Sequence, residues 1–175
     1  MSAPLQDRIG FIGAGGMGEA MIRGFLSSGT STADRIVASV RSPDRVRAMA
    51  SLGVRTVGNA LEGGAAAIAG STDIIFLAVK PVYMRGVLQA STRQRIPLGT
   101  AIQRHRRLRP APQALAPHLR QDHLVVSVAA GLKLAFYEDE LPAGTKVIRV
   151  MPNTPSLVGE ARALSGHHLA PTASC

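Results

Sequence analysis

The stretch Arg8-Ile9-Gly10-Phe11-Ile12-Gly13-Ala14-Gly15-Gly16-Met17-Gly18 passes from a short apolar strand pattern through three spaced glycines into a helical pattern. This spacing predicts a turn that receives a pyrophosphate. Gly13 permits a sharp exit from the strand, Gly15 removes the Cβ that would keep a phosphate from the backbone N–H groups, and Gly18 lets the helix lie close to the strand. The helix opening here turns its positive end toward the phosphates. Glycine-rich turns arise readily by composition in a chain with 18 glycines. What separates this one from a plain strand-turn-helix is its context, a strand that ends at the first glycine and an amphipathic helix that begins at the last.

Downstream, Ala20, Met21, Ile22, Phe25 and Leu26 recur at helical spacing, and Gly29 is suited to a left-handed cap. After a polar loop, Arg35 to Ser39 reads as a buried strand, which completes a strand-helix-strand unit of about 30 residues, the length of a dinucleotide site. At the end of that second strand, an NAD-binding chain usually carries an acid for the ribose hydroxyls. Here the residues are Ser39-Val40-Arg41-Ser42. A hydroxyl and a guanidinium without a carboxylate suit a 2′-phosphate, so the spacing favours NADP(H); the plainer reading of Arg41 is a solvated loop cation.

Ser42-Pro43-Asp44 opens a further helix with Val46, Met49 and Leu52 on one face. Gly53 to Val57 predicts a third strand, Gly58-Asn59 a turn and Ala60 to Ala69 a helix of small residues. Asn59 is a turn or cap residue, or a cofactor contact. Asp73 to Val79 is a continuous apolar run, the pattern of a central parallel strand, and Lys80-Pro81 closes it at the edge where open α/β sheets bind ligands. Lys80 is either a rim lysine or a contact for a nicotinamide amide or a substrate carboxylate. A helix follows from Tyr83 to Ala90. Later, Leu124 to Gly131 and Thr145 to Met151 predict two more strands flanking a helix over Leu132 to Leu141. The last 20 residues, Ser156 to Cys175, show no convincing element. The fold class is therefore α/β, a Rossmann-type doubly wound and mainly parallel sheet.

The formal charge of +9 points to a polyanion partner only if it is spread over the fold, and it is not. Between Ser91 and Gln113 lie Arg93, Arg95, Arg104, Arg106, Arg107 and Arg109 with no acid. That stretch also holds Pro97, Gly99, Pro110 and Pro112 and no sustained apolar period, so it reads as a long basic loop. Without interleaved aromatics or a known motif, it makes nucleic-acid binding the weakest of the readings weighed. The one cysteine, Cys175, excludes a disulfide framework. His105, His167 and His168 have no acid or cysteine at ligand spacing, so no metal is expected. No apolar stretch has the length of a membrane span. With seven residues before the first strand pattern and no leader, a cytoplasmic location is expected.

Four motifs in order resemble the Δ1-pyrroline-5-carboxylate reductase family. They are Ile9 to Gly18, Phe76-Leu77-Ala78-Val79-Lys80-Pro81, Val126-Ser127-Val128-Ala129-Ala130-Gly131, and Val147-Ile148-Arg149-Val150-Met151-Pro152-Asn153-Thr154-Pro155. The resemblance implies NADPH-dependent reduction of a cyclic imine to L-proline. It further implies that NADP(H) is held by Ile12, Gly13, Ala14, Gly15, Gly16, Met17 and Gly18, by Ser39 and Arg41, by Asn59, by Ala78, Val79, Lys80 and Pro81, and by Val128, Ala129 and Ala130. It names no catalytic residue. In the family, a helical domain after the Pro155 position forms the homo-oligomer and completes the imine site. The expected organisation is thus a cofactor domain over 7–155, interrupted by 91–113 as a genuine insertion or retained intron sequence, followed by an irregular tail over 156–175, the whole being a truncated form. A non-catalytic dinucleotide-binding fragment is the alternative. A β-hydroxyacid dehydrogenase shares the first motif, but the lysine it needs belongs to a later helical domain.

Because Ser91 to Gln113 offers no apolar residue pattern to a core, limited proteolysis of the native chain is expected to cut there first and leave two fragments that stay together in gel filtration. Protection of the arginine stretch without any polyanion present would contradict this reading.

Overall fold

A computed structural model of the chain describes residues 5–89 and 114–151, and the backbone of residues 164–168. The basic stretch Ser91 to Gln113, the Pro152 to Pro155 motif and Cys175 lie outside the described residues. A seven-stranded sheet has the order β3-β2-β1-β4-β5-β6-β7. Its strands are β1 (Ile9–Ile12), β2 (Ile36–Ser39), β3 (Arg55–Val57), β4 (Ile74–Leu77), β5 (Leu124–Ser127), β6 (Lys146–Met151) and β7 (Leu164–His168). The first six run parallel, and β7 pairs antiparallel to β6. The helices are α1 (Gly16–Ser27), α2 (Pro43–Ala50), α3 (Gly64–Ala69), α4 (Pro81–Leu88) and α5 (Leu134–Glu140).

Both faces of the sheet are covered, which is why its central strands read as unbroken apolar runs. Alternation along each strand sends residues to opposite cores. Ile9 and Phe11 of β1, Ile36 and Ala38 of β2, and Phe76 of β4 pack with Ile22 of α1 and Met49 of α2. Ile12, Val37, Ile75 and Leu77 pack on the other face with Ile68 of α3, Met84 and Leu88 of α4, and Tyr137 of α5. Three of the four phenylalanines fix α1 to the sheet: Phe11 stacks on Phe76 at 4.9 Å and Phe25 meets Phe76 edge-on at 5.5 Å. On the opposite face α3 lies hard against β1. A Cβ at Gly10 would stand 2.4 Å from Ile68 Cγ2, so the glycine within the first strand is a packing requirement as well.

Where the chain resumes after the basic stretch, it is tied firmly to the fold. The Leu115 N–H donates to the Val87 carbonyl at 2.8 Å. Arg120 donates to the carbonyls of Ala69 and Thr72, and buried His123 donates from Nε2 to the Thr72 carbonyl at 2.9 Å while its Nδ1 accepts from the Arg120 N–H at 2.8 Å. These bonds place β5 beside β4.

Two sequence expectations need correction. The helix expected over Ala60 to Ala69 is broken into a 3-10 turn (Ala60–Glu62) and α3, because Gly63 sits at φ +104° between them. The tail over 156–175, read as irregular, contains β7. Leu164-Ser165-Gly166-His167-His168 has one apolar residue and a glycine, so its strand state comes from the ladder offered by β6 and not from its own pattern. Among the described residues, no helix is long and apolar enough to cross a membrane.

The glycines of α1 provide a contrast that tests this packing. A Cβ at Gly18 would lie 2.3 Å from the Gly13 carbonyl oxygen, whereas one at Gly24, exposed in the same helix, would meet nothing within 4 Å. Gly18→Ala is expected to cost about 1–3 kcal/mol by overpacking, lowering Tm by roughly 2–12 °C. Gly24→Ala is expected to add about 0.8–1 kcal/mol through helix propensity. Thermal unfolding followed by circular dichroism reads both, and equal melting temperatures would overturn the account.

Candidate functional site

Parallel register brings the functional segments together. Val57, Ser39, Ile12, Leu77, Ser127 and Arg149 form one row across six strands at the carboxyl edge of the sheet. The residues just past this row are Gly58-Asn59, Val40-Arg41, Gly13, Ala78 and Val128. Each segment singled out in the sequence therefore leaves the sheet at the same level. Backbone bonds secure the alignment: Ala78 N–H donates to the Ile12 carbonyl at 2.9 Å, and Val128 N–H to the Leu77 carbonyl at 3.2 Å.

A cleft of about 290 Å³ opens along this edge, lined by the glycine turn, the ends of β2 and β4, the turn at Asn59 and the first turns of α2 and α4. The three glycines have distinct environments there. Gly13 has φ +95°, and a Cβ on it would come within 2.9 Å of the Ala78 carbonyl oxygen. Gly15 precedes α1 and faces open space, so its backbone is accessible from the cleft. Gly18 is sealed against Gly13.

The other residues read from the sequence fall into three groups. Ala14, Ser39, Arg41, Asn59, Ala78, Val79 and Lys80 line the cleft with Gly13 and Gly15. Ile12 is fully buried in the core and brings only its backbone to the edge. Gly16, Met17, Gly18, Pro81, Val128, Ala129 and Ala130 are not among the residues lining it. Val128 and Ala129 are buried at the end of β5, while Ala130 is exposed beyond them.

Several side chains are already engaged. Ser39, 3% exposed, donates its hydroxyl to the Gly58 carbonyl at 3.0 Å. Its proton is thus committed to the fold. Asn59 does cap a turn, its Oδ1 accepting from the Leu61 N–H at 3.2 Å, which leaves its amide NH₂ for the cleft. Lys80 is exposed ahead of α4, with Pro81 at the first helical position. Beneath Val128 to Ala130, the Ser127 and Tyr137 hydroxyls are 2.5 Å apart and Ser127 Oγ accepts from the Ala129 N–H. Burial pushes the Tyr137 phenol above its ordinary range, against the smaller opposing effects of Ser127 and the Arg149 charge.

Seven lining residues were not singled out in the sequence, the apolar Val40, Ala60, Leu61 and Val87 and three with polar groups, Ser42, Arg45 and Tyr83. Ser42 is the residue before α2, yet its hydroxyl makes no capping bond. Arg45, one turn into α2, pairs with Glu19 of α1, which also accepts from Arg23 at 2.8 Å. The Arg41 guanidinium lies over the Tyr83 ring at 5.9 Å. Only Arg45 left a signal, a second cation four residues after Arg41 on the first turn of a helix that starts at the cleft. The pocket therefore has Arg41 past the end of β2, Arg45 in the first turn of α2 and no acid among its lining residues. Among the described residues, no three His, Cys, Asp or Glu side chains cluster as metal ligands.

A family model described as NADP oxidoreductase, coenzyme F420-dependent, matches residues 8–97. Pyrroline-5-carboxylate reductase of Methanosarcina acetivorans is 36% identical over 156 residues, covering 89% of this chain and 47% of that relative. The Escherichia coli protein of the same name is 36% identical over 155 residues, covering 88% and 47%. Pyrroline-5-carboxylate reductase 3 of Danio rerio is 31% identical over 159 residues, covering 91% and 45%. The chain spans about half the length of these relatives. Among solved structures, Plasmodium falciparum pyrroline carboxylate reductase with NADP bound superposes with a TM-score of 0.70 at 22% identity, covering 98% of this chain and 52% of that one. An imine reductase of Myxococcus stipitatus in complex with NAD+ gives 0.59 at 20%, covering 92% and 47%. At such identities these superpositions show the fold, a doubly wound sheet of the same kind. The family match spans just over half of the chain, and with the curated relatives it makes the assignment plain: this chain belongs to the family described as NADP oxidoreductase, coenzyme F420-dependent, and is a relative of the pyrroline-5-carboxylate reductases.

Proposed function

We propose that these 175 residues are the cofactor-holding half of an NADPH-dependent pyrroline-5-carboxylate reductase. The observation that carries the proposal is the carboxyl-edge cleft, where an open glycine turn at one end faces two arginines at the other. Identity of 36% to reductases of that name supports the substrate class. Gly13 to Gly16 and the first turn of α1 receive the pyrophosphate through backbone N–H groups, with no Cβ at Gly15 to hold it off. Arg41, Ser42 and Arg45 hold the adenosine 2′-phosphate. Tyr83 supports the Arg41 guanidinium from beneath, and Glu19 orients Arg45. Asn59 contributes its amide on the adenosine side.

When bound, NADPH supplies the hydride that reduces the C=N carbon of the cyclic imine. The chain's own contribution at that end is placement. Ala78 and Val79 form a small-residue wall at the end of β4, and Val128 to Ala130 extend it at the end of β5. Lys80 presents its ammonium group to a nicotinamide carboxamide or a substrate carboxylate at the rim. Hydride transfer to an imine that arrives protonated asks for alignment more than for an acid or base, and no residue is assigned a proton-transfer role. The family's helical domain, which the resemblance assigns to imine binding, corresponds to none of the elements described. A non-catalytic dinucleotide-binding module is the second reading, favoured by coverage of about half of each relative.

Two measurements test this. Calorimetric titration should give tighter binding of NADPH than of NADH, and Arg41→Asp should reverse the order. A charge-assisted contact of about 1.5–3 kcal/mol corresponds to roughly 10–150-fold, with the lower end expected for an exposed arginine. Equal affinity of the unaltered chain for the two cofactors would overturn the assignment of Arg41 and Arg45. In addition, the 175 residues alone should oxidise NADPH with pyrroline-5-carboxylate far more slowly than a full-length reductase. Ordering of reactants accounts for as much as ~7–11 kcal/mol of a barrier, and much of that ordering belongs to the imine site. Turnover equal to a full-length reductase in a spectrophotometric assay would show that these residues build the substrate site by themselves.

A further inference from the structure

The register that aligns the cofactor segments at one edge of the sheet also aligns a set of arginines at the other. Ile9 of β1 pairs with Ile36 of β2, so Arg8 and Arg35 enter the sheet side by side, and Arg55 opens β3 opposite Val37. Neighbouring parallel strands are about 4.8 Å apart, so the three side chains start within reach of a common point. They line a cleft of about 360 Å³ together with Asp34, Ser71 and Thr72, at the amino edge of the sheet, remote from the glycine turn.

The occupancy of the donors there is uneven. The Arg35 guanidinium is held by the carbonyl and side-chain oxygens of Gln6. Among the described residues, the guanidinium groups of Arg8 and Arg55 have no partner, and both residues are exposed. Two carboxylates are near. The pKa of Asp34 is held below the ordinary carboxylate value first by a hydrogen bond from Thr32, then by its own backbone, with the Arg35 charge adding to the effect. Asp73 lies next to the cleft, accepts from the Arg8 backbone N–H at 3.0 Å and pairs with Arg120 at 3.4 Å. The lining therefore holds three positive charges and one negative, with two complete guanidinium forks unused. The Ser71 and Thr72 hydroxyls donate into the carbonyls of Ala67 and Ile68 and so offer lone pairs, not protons, to a ligand.

We propose that this amino-edge cleft is a second anion site, one that binds the phosphate groups of a small molecule through Arg8, Arg35 and Arg55. Planar forks suit the oxygens of a phosphate, which accept two parallel N–H bonds from each guanidinium. Like charges gathered in one recess repel, and a multivalent anion between them turns that repulsion into attraction. The competing account is that these arginines merely offset the negative ends of the helices that terminate at this edge, α3 among them. The two accounts differ in what a ligand does.

The test is titration of the full chain with inorganic pyrophosphate at low salt in the presence of saturating NADPH, which keeps the carboxyl-edge cleft occupied, comparing three double variants. Arg8→Ala/Arg55→Ala should weaken binding at least tenfold. Arg104→Ala/Arg107→Ala, in the basic stretch, should leave the affinity within about twofold. Arg8→Lys/Arg55→Lys keeps the charge and should still lose several-fold, because the forks are gone. Melting curves without ligand check that the variants are folded. Unchanged pyrophosphate affinity in Arg8→Ala/Arg55→Ala would overturn the proposal, as would equal losses in both alanine pairs, which would reduce the effect to net charge. A lower Tm in Arg8→Ala/Arg55→Ala with unaltered affinity would favour the helix-end account instead. The cofactor proposal is untouched by any of these outcomes, since Arg41 and Arg45 are intact in every variant.

Discussion

The close approach of Gly18 to Gly13 is the constraint on which the rest of the structure depends. With 2.3 Å between a notional Cβ on one and the carbonyl oxygen of the other, the first helix can be reached from the first strand only through a pair of glycines. That contact sets the axis of α1, and Phe25, three-quarters of the way along it, then drops onto Phe11 and Phe76. With α1 fixed, the chain returns to start β2 beside β1, in parallel register with it. The glycine turn thus determines the fold before any ligand is considered, and a phosphate-sized opening is left over because Gly15, between the two packed glycines, packs against nothing.

Most of the architecture was legible because burial on both faces leaves a simple trace. Ile74-Ile75-Phe76-Leu77 and Leu124-Val125-Val126-Ser127 read as strands since both faces are covered; the first ends within two residues of its apolar run, whereas the second stops at Ser127, four residues short of the expected Gly131. What was not legible depends on packing that the periodic pattern does not carry. The break at Gly63 inside a run of small residues is imposed by packing of Gly64 against the Gly58 carbonyl, where a Cβ would stand at 2.0 Å. The strand at Leu164–His168 exists because β6 offers an open edge. No local preference encodes either.

The candidate site shows the same division. Gly13, Gly15, Ser39, Arg41, Asn59 and Lys80 were visible as punctuation at strand ends, where residue type departs from the buried pattern. Tyr83 was not, and Arg45 left only the spacing of a second cation four residues after Arg41, since an arginine in an exposed helix and a tyrosine after a proline look ordinary until the register folds α2 and α4 over one cleft. Ser39, which its type and position marked out, lines the cleft, and its hydroxyl also donates to the Gly58 carbonyl at the turn that carries Asn59, a bond the sequence pattern does not reveal.

Glu19 brings these threads together. An acid in the first turn of α1 is favourable for the helix dipole but opposes any anion placed at the same end. Its carboxylate is shared between Arg23 on its own helix and Arg45 on the next. Half-exposed ion pairs of this kind contribute little to stability, of the order of 0–1 kcal/mol, so their effect is one of placement. Arg23 takes up one oxygen within α1, and the other draws Arg45 across from α2 to the rim of the cleft. In this way a residue that would repel phosphate instead brings a cation to the place where the proposed 2′-phosphate needs one, and it couples α1 to α2, whose first turn lines the cleft.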